Sequence, residues 1–219
     1  MKWPLLEHVP EEDVQLVLSV ARRRKFDRGE VVFHEHDPAD TLHLIDKGRF
    51  VARVGTPLGD TAILTVMGAG EMFGELALLG SADERRSATV AALEPSETRS
   101  VHRLDFERLR ARHPETSEIL IAILSGQVRR LTTHLVDALY VPAEKRVRRR
   151  LVEMVAVYDE GTAAEVVVPL TQEDLAGLAG TSRATANRVL REEEARGVVT
   201  LGRGRTTVLD VDALTRRGR

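Results

Sequence analysis

The chain has 219 residues, 42% of them apolar and 30% charged, with a net charge of −2 and no cysteine. That length suits one large domain or two small ones, and the missing cysteines exclude disulfides, cysteine-ligated zinc and cysteine-ligated iron–sulfur clusters. No apolar run is long enough to span a membrane, and the start, MKWPLLEHVPEEDV, lacks the segments of a secretory leader, so a cytoplasmic location is expected.

The small net charge hides an asymmetry. Residues 140–219 hold 14 Lys+Arg against 12 Asp+Glu, whereas residues 1–139 are net acidic. An acidic half followed by a basic one has the sign expected where only the second half meets a polyanion.

In chain order, residues 5–25 have the pattern of a short amphipathic helix, with Val14, Leu16, Val17, Leu18 and Val20 among charged residues. From Phe26 to about Val101 short β-branched runs follow: Val31–Phe33, Leu42–Ile45, Phe50–Val54, Ala62–Val66 and Ala88–Leu93. Turns separate them at Arg28-Gly29, Asp37-Pro38, Lys47-Gly48, Gly59-Asp60 and Gly68-Ala69-Gly70. This rhythm predicts a small β-barrel or jelly roll.

One stretch, FGELALLGSADERRSATV from Phe73 to Val90, breaks the β pattern with a helical turn around Glu75–Leu79. It places a glycine turn and the Glu75 carboxylate close in sequence to Arg86, Ser87 and Ala88. Arginine presents a planar donor fork to phosphate oxygens, and a carboxylate accepts from a sugar hydroxyl. Ser87 adds hydroxyl and backbone donors, so the set suits a small cyclic phosphodiester with its sugar. The competing expectation is a strand–turn–helix segment in which Glu75 and Arg86 form a structural ion pair. His34 and His36 flank Glu35 in a turn and are expected at the surface rather than on a metal.

After Pro114 the pattern is helical to about Tyr140, with Leu124, Val128, Leu131, Leu135 and Ala138 spaced 4, 3, 4, 3. So narrow a seam faces a second helix, which predicts a parallel homodimer; the alternative is a helix that packs back on its own barrel. Pro142 ends the helix. Residues 143–158 predict another helix and Val166–Leu170 a strand. Thr171 can cap the next helix, with Asp174 closing a capping box. Gln172 to Leu190 has a helix-turn-helix rhythm. Ala176 is small where two helices cross, Gly180 sits at a turn that needs a positive φ, and Ala186 and Val189 face inward. Thr181 or Ser182 caps the second helix. VVTLGRGRTTVLD then predicts two strands around a Gly/Arg turn, a wing. The basic run Lys145–Arg150, KRVRRR, is either a solvated face or a source of non-specific phosphate attraction.

The stretch from Phe73 resembles the phosphate-binding cassette of cyclic-nucleotide-binding domains, F-G-E-L-A-L-(loop)-R-S-A-T-V. Thr181 to Arg188, TSRATANR, is similar to a reading-helix pattern S-R-E-T-V-x-R. With the order of the other elements, nearly the whole chain resembles the cyclic-AMP receptor protein and fumarate–nitrate regulator family of transcription factors. The resemblance implies an α+β fold. An N-terminal cyclic-nucleotide-binding β-barrel or jelly roll would occupy 1–114, a dimerisation helix and hinge 115–141, and a winged helix-turn-helix DNA-binding domain 142–219. It implies a regulator, not an enzyme, that acts as a homodimer on palindromic double-stranded DNA, with cyclic AMP the favoured effector and no metal. Activation would further require a surface that contacts RNA polymerase.

Carried over residue by residue, Gly74, Glu75, Leu76 and Ala77 line the ribose side, and Arg86, Ser87 and Ala88 hold the phosphate. Ala88 stands where cyclic-GMP binders often have threonine. The family's dimer helix touches the base at positions equivalent to Leu131 and Thr132, with Thr133 next; one hydroxyl of the usual pair is therefore missing or displaced, which puts the base in question. Thr171, Ser182, Arg183, Thr185, Asn187, Arg188 and Arg205 fall at DNA-facing positions, with Arg183 and Arg188 as guanine readers. Ala184 replaces the family's glutamate, so the half-site should differ from the family's usual one or be looser. Family members with other effectors, or none, keep an effector-independent DNA binder open. A phosphodiesterase is disfavoured by the lack of metal-cluster, nucleophile-elbow and phosphate-loop motifs. A sensing module without a DNA role is disfavoured by the arginine-bearing helix pair.

Overall fold

The computed structural model describes residues 3–56, 59, 61–79, 84–159, 161 and 165–219. The chain divides into two compact units, Met1–Val54 with Thr65–Arg129, and Gly55–Leu64 with Arg130–Arg219. Among the described residues no helix is long and apolar enough to cross a membrane.

The first unit opens with a 3-10 turn at Pro4–Leu6 and helix α1 (Glu11–Val20), whose first turn carries Glu11, Glu12 and Asp13 at the positive end of the helix dipole. Eight strands follow: β1 (Arg22–Phe26), β2 (Val31–Phe33), β3 (Thr41–Lys47), β4 (Phe50–Gly55), β5 (Thr61–Met67), β6 (Met72–Phe73), β7 (Thr89–Ala92) and β8 (Ser96–His102). They form two four-stranded sheets, ordered β1-β8-β3-β6 and β2-β7-β4-β5. The helix expected over 5–25 therefore stops at Val20. Residues 22–26 pair antiparallel with β8, Arg22 opposite Ser100 and Phe26 opposite Ser96. Phe26 is buried and meets the Phe50 ring edge-on at 5.6 Å. A partner about seventy residues away decides this segment, and local periodicity carries no trace of it.

The five expected strands appear within two residues of their expected ends. Of the expected Gly59-Asp60 turn only Gly59 is described, with φ +88°. Helices α2 (Arg103–Arg112) and α3 (Glu115–Tyr140) complete the unit's course, α3 running on into the second unit. The core joins Trp3, Leu5, Leu42, Leu44, Met72, Phe106 and Leu120, and the Trp3 indole donates to the Ile45 carbonyl at 3.0 Å. Leu120 thus anchors the start of α3. Farther along, the expected seam residues Val128, Leu131, Leu135 and Ala138 are exposed, as are Val136 and Leu139.

The second unit holds α4 (Ala143–Tyr158), β9 (Val166–Val168), α5 (Gln172–Ala179), α6 (Arg183–Ala195), β10 (Val199–Gly202), β11 (Arg205–Val208) and α7 (Val211–Gly218). β9 joins the wing hairpin in a sheet ordered β10-β11-β9. Val147, Ala176, Ala179, Ala186 and Val189 pack together where α4, α5 and α6 meet. Thr171 and Asp174 form the expected capping box, the Asp174 N–H donating to Thr171 Oγ1 at 3.1 Å and the Thr171 N–H to Asp174 Oδ2 at 2.8 Å. Gly180 ends α5 at φ +57°, and Ser182 caps α6.

Gly177 lies inside α5, where glycine costs about 1 kcal/mol relative to alanine. The start of β5 explains it. A Cβ at 177 would lie 2.9 Å from the Thr61 carbonyl oxygen and 3.3 Å from Ile63 Cγ1.

Both expectations for the basic run fail for four of its five arginine and lysine side chains. Arg148 and Arg150 are buried. Arg146 donates to the Ala179, Gly180 and Val141 carbonyls at 2.8, 2.9 and 2.8 Å, so it caps the end of α5. Arg149 and Arg150 both pair with the buried Asp137, and Arg148 with Glu192 and Glu193. Only Lys145 is exposed. These cations flank the apolar stripe Val147–Leu151–Met154–Val155 and are drawn under by carboxylates from α3 and α6.

Candidate functional site

Two sites follow from the fold. The first is built around Arg86 in the first unit. The loop that carries it is pinned to residues 36–39: the His36 N–H donates to the Arg86 carbonyl at 2.8 Å, the Arg86 N–H to Asp37 at 2.9 Å, and the Ala39 N–H to Glu84 at 3.0 Å. His36 adopts φ 71° in this exchange, with its ring exposed beside Glu35. Among the described residues no group of three or more His, Asp or Glu is placed to hold a metal.

The Arg86 guanidinium is 5% exposed. Nη1 donates to the Thr41 carbonyl at 2.8 Å and Nη2 to Thr41 Oγ1 at 2.7 Å. The Phe33 ring lies under it, with Cζ 4.0 Å from the centroid, a cation–π contact. Gly74 accommodates this approach. Its φ of +80° favours glycine, and a Cβ there would fall 2.6 Å from Arg86 Nη1. The first glycine of the cassette and its arginine are thus one packing unit. Arg86 Nε has no hydrogen-bond partner among the described residues. The expected alternative, an ion pair between Glu75 and Arg86, is not formed among the described residues, though the Glu75 charge is near enough to favour the charged guanidinium.

Burial lowers the Arg86 pKa, and Asp40, Asp37 and Glu75 oppose that effect. Among the described residues Asp40 is the nearest carboxylate, 4.0 Å from Nη2. Beside this group His43 is pushed down to about 3, by burial first and then by Arg86 and Arg24. Its ring stacks on Phe73 at 4.9 Å and 5°, and its Nδ1 shares a 3.2 Å hydrogen bond with Thr98 Oγ1. The neighbour of the cassette arginine is therefore a neutral imidazole.

The remaining cassette residues divide by exposure. Glu75, Ala77 and Ala88 are buried, while Leu76 and Ser87 face solvent. Residues 80–83 lie outside the described residues. Thr132 and Thr133 are exposed on the C-terminal part of α3, in the second unit. Sequence reasoning missed Thr41, Phe33, Asp40 and His43. The β3–β6 pairing sets His43 opposite Phe73, the β2–β7 pairing sets Phe33 opposite Val90, and the bonds between residues 84–86 and 36–39 bring Asp40 and Thr41 alongside.

The second site is the α5–α6 pair with its wing. Arg183, Asn187 and Arg188 project from the exposed face of α6, opposite Ala186, Val189 and Leu190, which are buried. Ser182 Oγ accepts from the Thr185 N–H at 3.2 Å, so both expected contact residues also build the helix cap. Thr171 Oγ1 is engaged in its capping box. Arg205, exposed on β11, lies over Gly202, where a Cβ would meet its Cγ at 2.9 Å. Arg188 is paired with Glu144 and Glu192, which raise its pKa, and Glu144 is lowered by its own backbone N–H and by Arg188.

Comparison with known proteins covers both sites. The family model described as Cyclic nucleotide-binding domain matches residues 23–113, and that described as Crp-like helix-turn-helix domain matches residues 145–217. The CRP-like cAMP-activated global transcriptional regulator of Mycobacterium tuberculosis is 35% identical over 199 residues, covering 89% of this chain and 87% of that protein. The chain belongs to the cyclic-AMP receptor protein and fumarate–nitrate regulator (CRP/FNR) family. The Cyclic AMP receptor protein of Thermus thermophilus is 32% identical over 214 residues, covering 96% of this chain and 94% of the relative. The structure of FixK2 from Bradyrhizobium japonicum, at 19% identity, shares the fold with a TM-score of 0.78 over 90% of this chain and 96% of its own. The chain is thus a CRP/FNR transcriptional regulator with a cyclic-nucleotide-binding domain and a DNA-binding helix-turn-helix, and not an enzyme.

Proposed function

We propose that the protein is a cyclic-AMP-responsive regulator that binds a palindromic operator as a homodimer. The observation that carries the effector reading is Arg86, a guanidinium buried among a carbonyl, a hydroxyl and a ring, whose Nε has no partner among the described residues. Neutral acceptors take its hydrogen bonds while the Asp40 carboxylate stands 4.0 Å off, and a phosphodiester would add charge-assisted hydrogen bonds. Glu75 would accept from the ribose hydroxyl, and Gly74, Leu76, Ala77, Ser87 and Ala88 would shape the rest. The named effector of the M. tuberculosis and T. thermophilus relatives supports cyclic AMP.

The exposed apolar residues Val128, Leu131, Leu135 and Leu139 on α3 support the homodimer, with Thr132 and Thr133 beside them to meet the base. In a dimer the two α6 helices would enter successive major grooves about 34 Å apart, which requires a palindrome. Thr171, Ser182, Thr185, Asn187 and Arg205 would contribute to DNA contact alongside Arg183 and Arg188. Cyclic AMP would act by its differential affinity for two arrangements of the dimer. Residues 1–114, 115–141 and 142–219 would serve as sensor, dimer helix and DNA reader, and a cytoplasmic site of action follows from that role.

Calorimetric titration of cyclic AMP against wild type and Arg86→Ala tests the sensor. Binding that weakens on the order of a hundredfold in the variant supports it, and equal affinity overturns it. A second reading, DNA binding without an effector, is favoured by the Thr41 contacts, which already occupy both terminal nitrogens of Arg86. Operator binding of equal strength with and without added cyclic AMP would establish it.

A further inference from the structure

The two arginines expected to read bases have different surroundings. Arg183 stands exposed in the first turn of α6. Arg188 is held from two sides. Its Nη2 donates to Glu144 Oε1 at 2.6 Å and its Nη1 to Glu192 Oε1 at 2.8 Å. Glu144 belongs to the first turn of α4, and Glu192 lies one turn farther along α6.

The clamp does not end there. Glu192 Oε2 accepts from Arg148 Nη2 at 3.2 Å, and Arg148 Nε donates to Glu193 Oε1 at 2.7 Å. Glu193 is fully buried and also accepts from Arg217 Nε at 3.0 Å. A row of alternating charges therefore runs from Glu144 at the surface to an immobile carboxylate beneath α6. Isolated surface pairs are weak and mobile, but this one is anchored at its inner end.

We propose that Glu144 is a positioning residue for base recognition, fixing the Arg188 guanidinium so that its remaining donors meet one base edge of the operator. This rests on the reading that α6 enters the major groove. A guanidinium has five N–H donors in one plane; two are taken, and three remain in a direction the carboxylates set. A side chain held in place loses less freedom on docking, and its directed donors go unpaired against the wrong base. The two carboxylates also repel phosphates, so the clamp trades overall affinity for discrimination. Glu144 lies on a different helix from the reading residues, so the reading-helix pattern alone does not disclose it.

The test is selection from a randomised duplex library by the full-length protein with cyclic AMP present. Wild type, Arg188→Ala, Glu144→Gln, the double variant and Glu173→Gln are compared; Glu173 is an exposed carboxylate near the start of α5. Arg188→Ala should flatten preference at one symmetric pair of operator positions. Glu144→Gln should reduce preference at that same pair by roughly fivefold or more, leave other positions unchanged, and add nothing in the Arg188→Ala background. Glu173→Gln should shift overall affinity alone. The proposal is overturned if Glu144→Gln selects the wild-type profile, shifts all positions as Glu173→Gln does, or sharpens preference at the Arg188 pair. If wild type selects no sequence, or Arg188→Ala changes no position, the groove reading itself is lost before Glu144 is considered.

Discussion

Arg86 and Arg188 are the same side chain prepared in opposite ways. Arg86 is buried and hydrogen-bonded by neutral groups, the Thr41 carbonyl and hydroxyl, over the Phe33 ring, with the Asp40 carboxylate 4.0 Å away rather than in direct contact. Arg188 is half exposed and held by two carboxylates, so its charge is spent and its direction is what remains to be used. The contrast separates two tasks. A phosphate is recognised by charge in a dry place, and a base edge by the orientation of donors in a wet one. The supports differ accordingly. Around Arg86 the nearest titratable ring is kept neutral, whereas Arg188 depends on a chain of ions ending at Glu193.

The largest effect should come from cutting that chain at its root. Glu193→Ala leaves Arg148 and Arg217 without their buried partner, and denaturant unfolding should show a loss of about 3–5 kcal/mol. A loss no greater than that of an ordinary surface substitution would mean the ion row is decorative.

Acid tests the other side of the contrast, through the imidazole that the fold keeps neutral beside Arg86. His43 has a folded pKa pushed down to about 3. Above about pH 6.5 the ring is neutral in both folded and unfolded chains and contributes no pH dependence. Below that value the unfolded chain takes up a proton and the folded one does not. Stability therefore falls by up to about 1.4 kcal/mol per pH unit until the folded pKa is reached. Comparing unfolding midpoints at pH 7.5 and pH 5 should show a smaller drop in His43→Gln than in wild type; parallel drops would acquit His43.

Arg86→Lys keeps a charge but loses the fork that spans the two Thr41 oxygens. Cyclic AMP should bind about tenfold more weakly by calorimetry, and an unchanged affinity would mean charge alone suffices. The smallest effect is expected for Thr41→Val, which preserves shape and removes one acceptor from Nη2. A loss of about 1 kcal/mol in denaturant unfolding is the expected outcome.

Features fixed by neighbouring residues were legible in the sequence. The Thr171–Asp174 box, the turn at Gly180, the break at Pro142 and the turn after Gly74 each follow from what one or two residues do to their own backbone. The cassette arginine was legible for the same reason, as part of a short run. Its partners were not, because Thr41 lies 45 residues away and meets it only once residues 84–86 are bonded to 36–39. β1 falls where the sequence pattern predicts the end of a helix, and the two-residue β6 and the polar β8 carry no clear apolar alternation. The basic run misled in an instructive way. Arg148 and Arg150 sit beside the apolar stripe of α4, which is where a cation goes under only if distant carboxylates meet it.

The glycine inside α5 has a mechanical consequence. Residues 55–64 group with the C-terminal residues, so β5 begins in one unit and ends in the other. A side chain at position 177 would run into the Thr61 carbonyl and the Ile63 side chain, so α5 accepts nothing larger than hydrogen there unless the first residues of β5 give way.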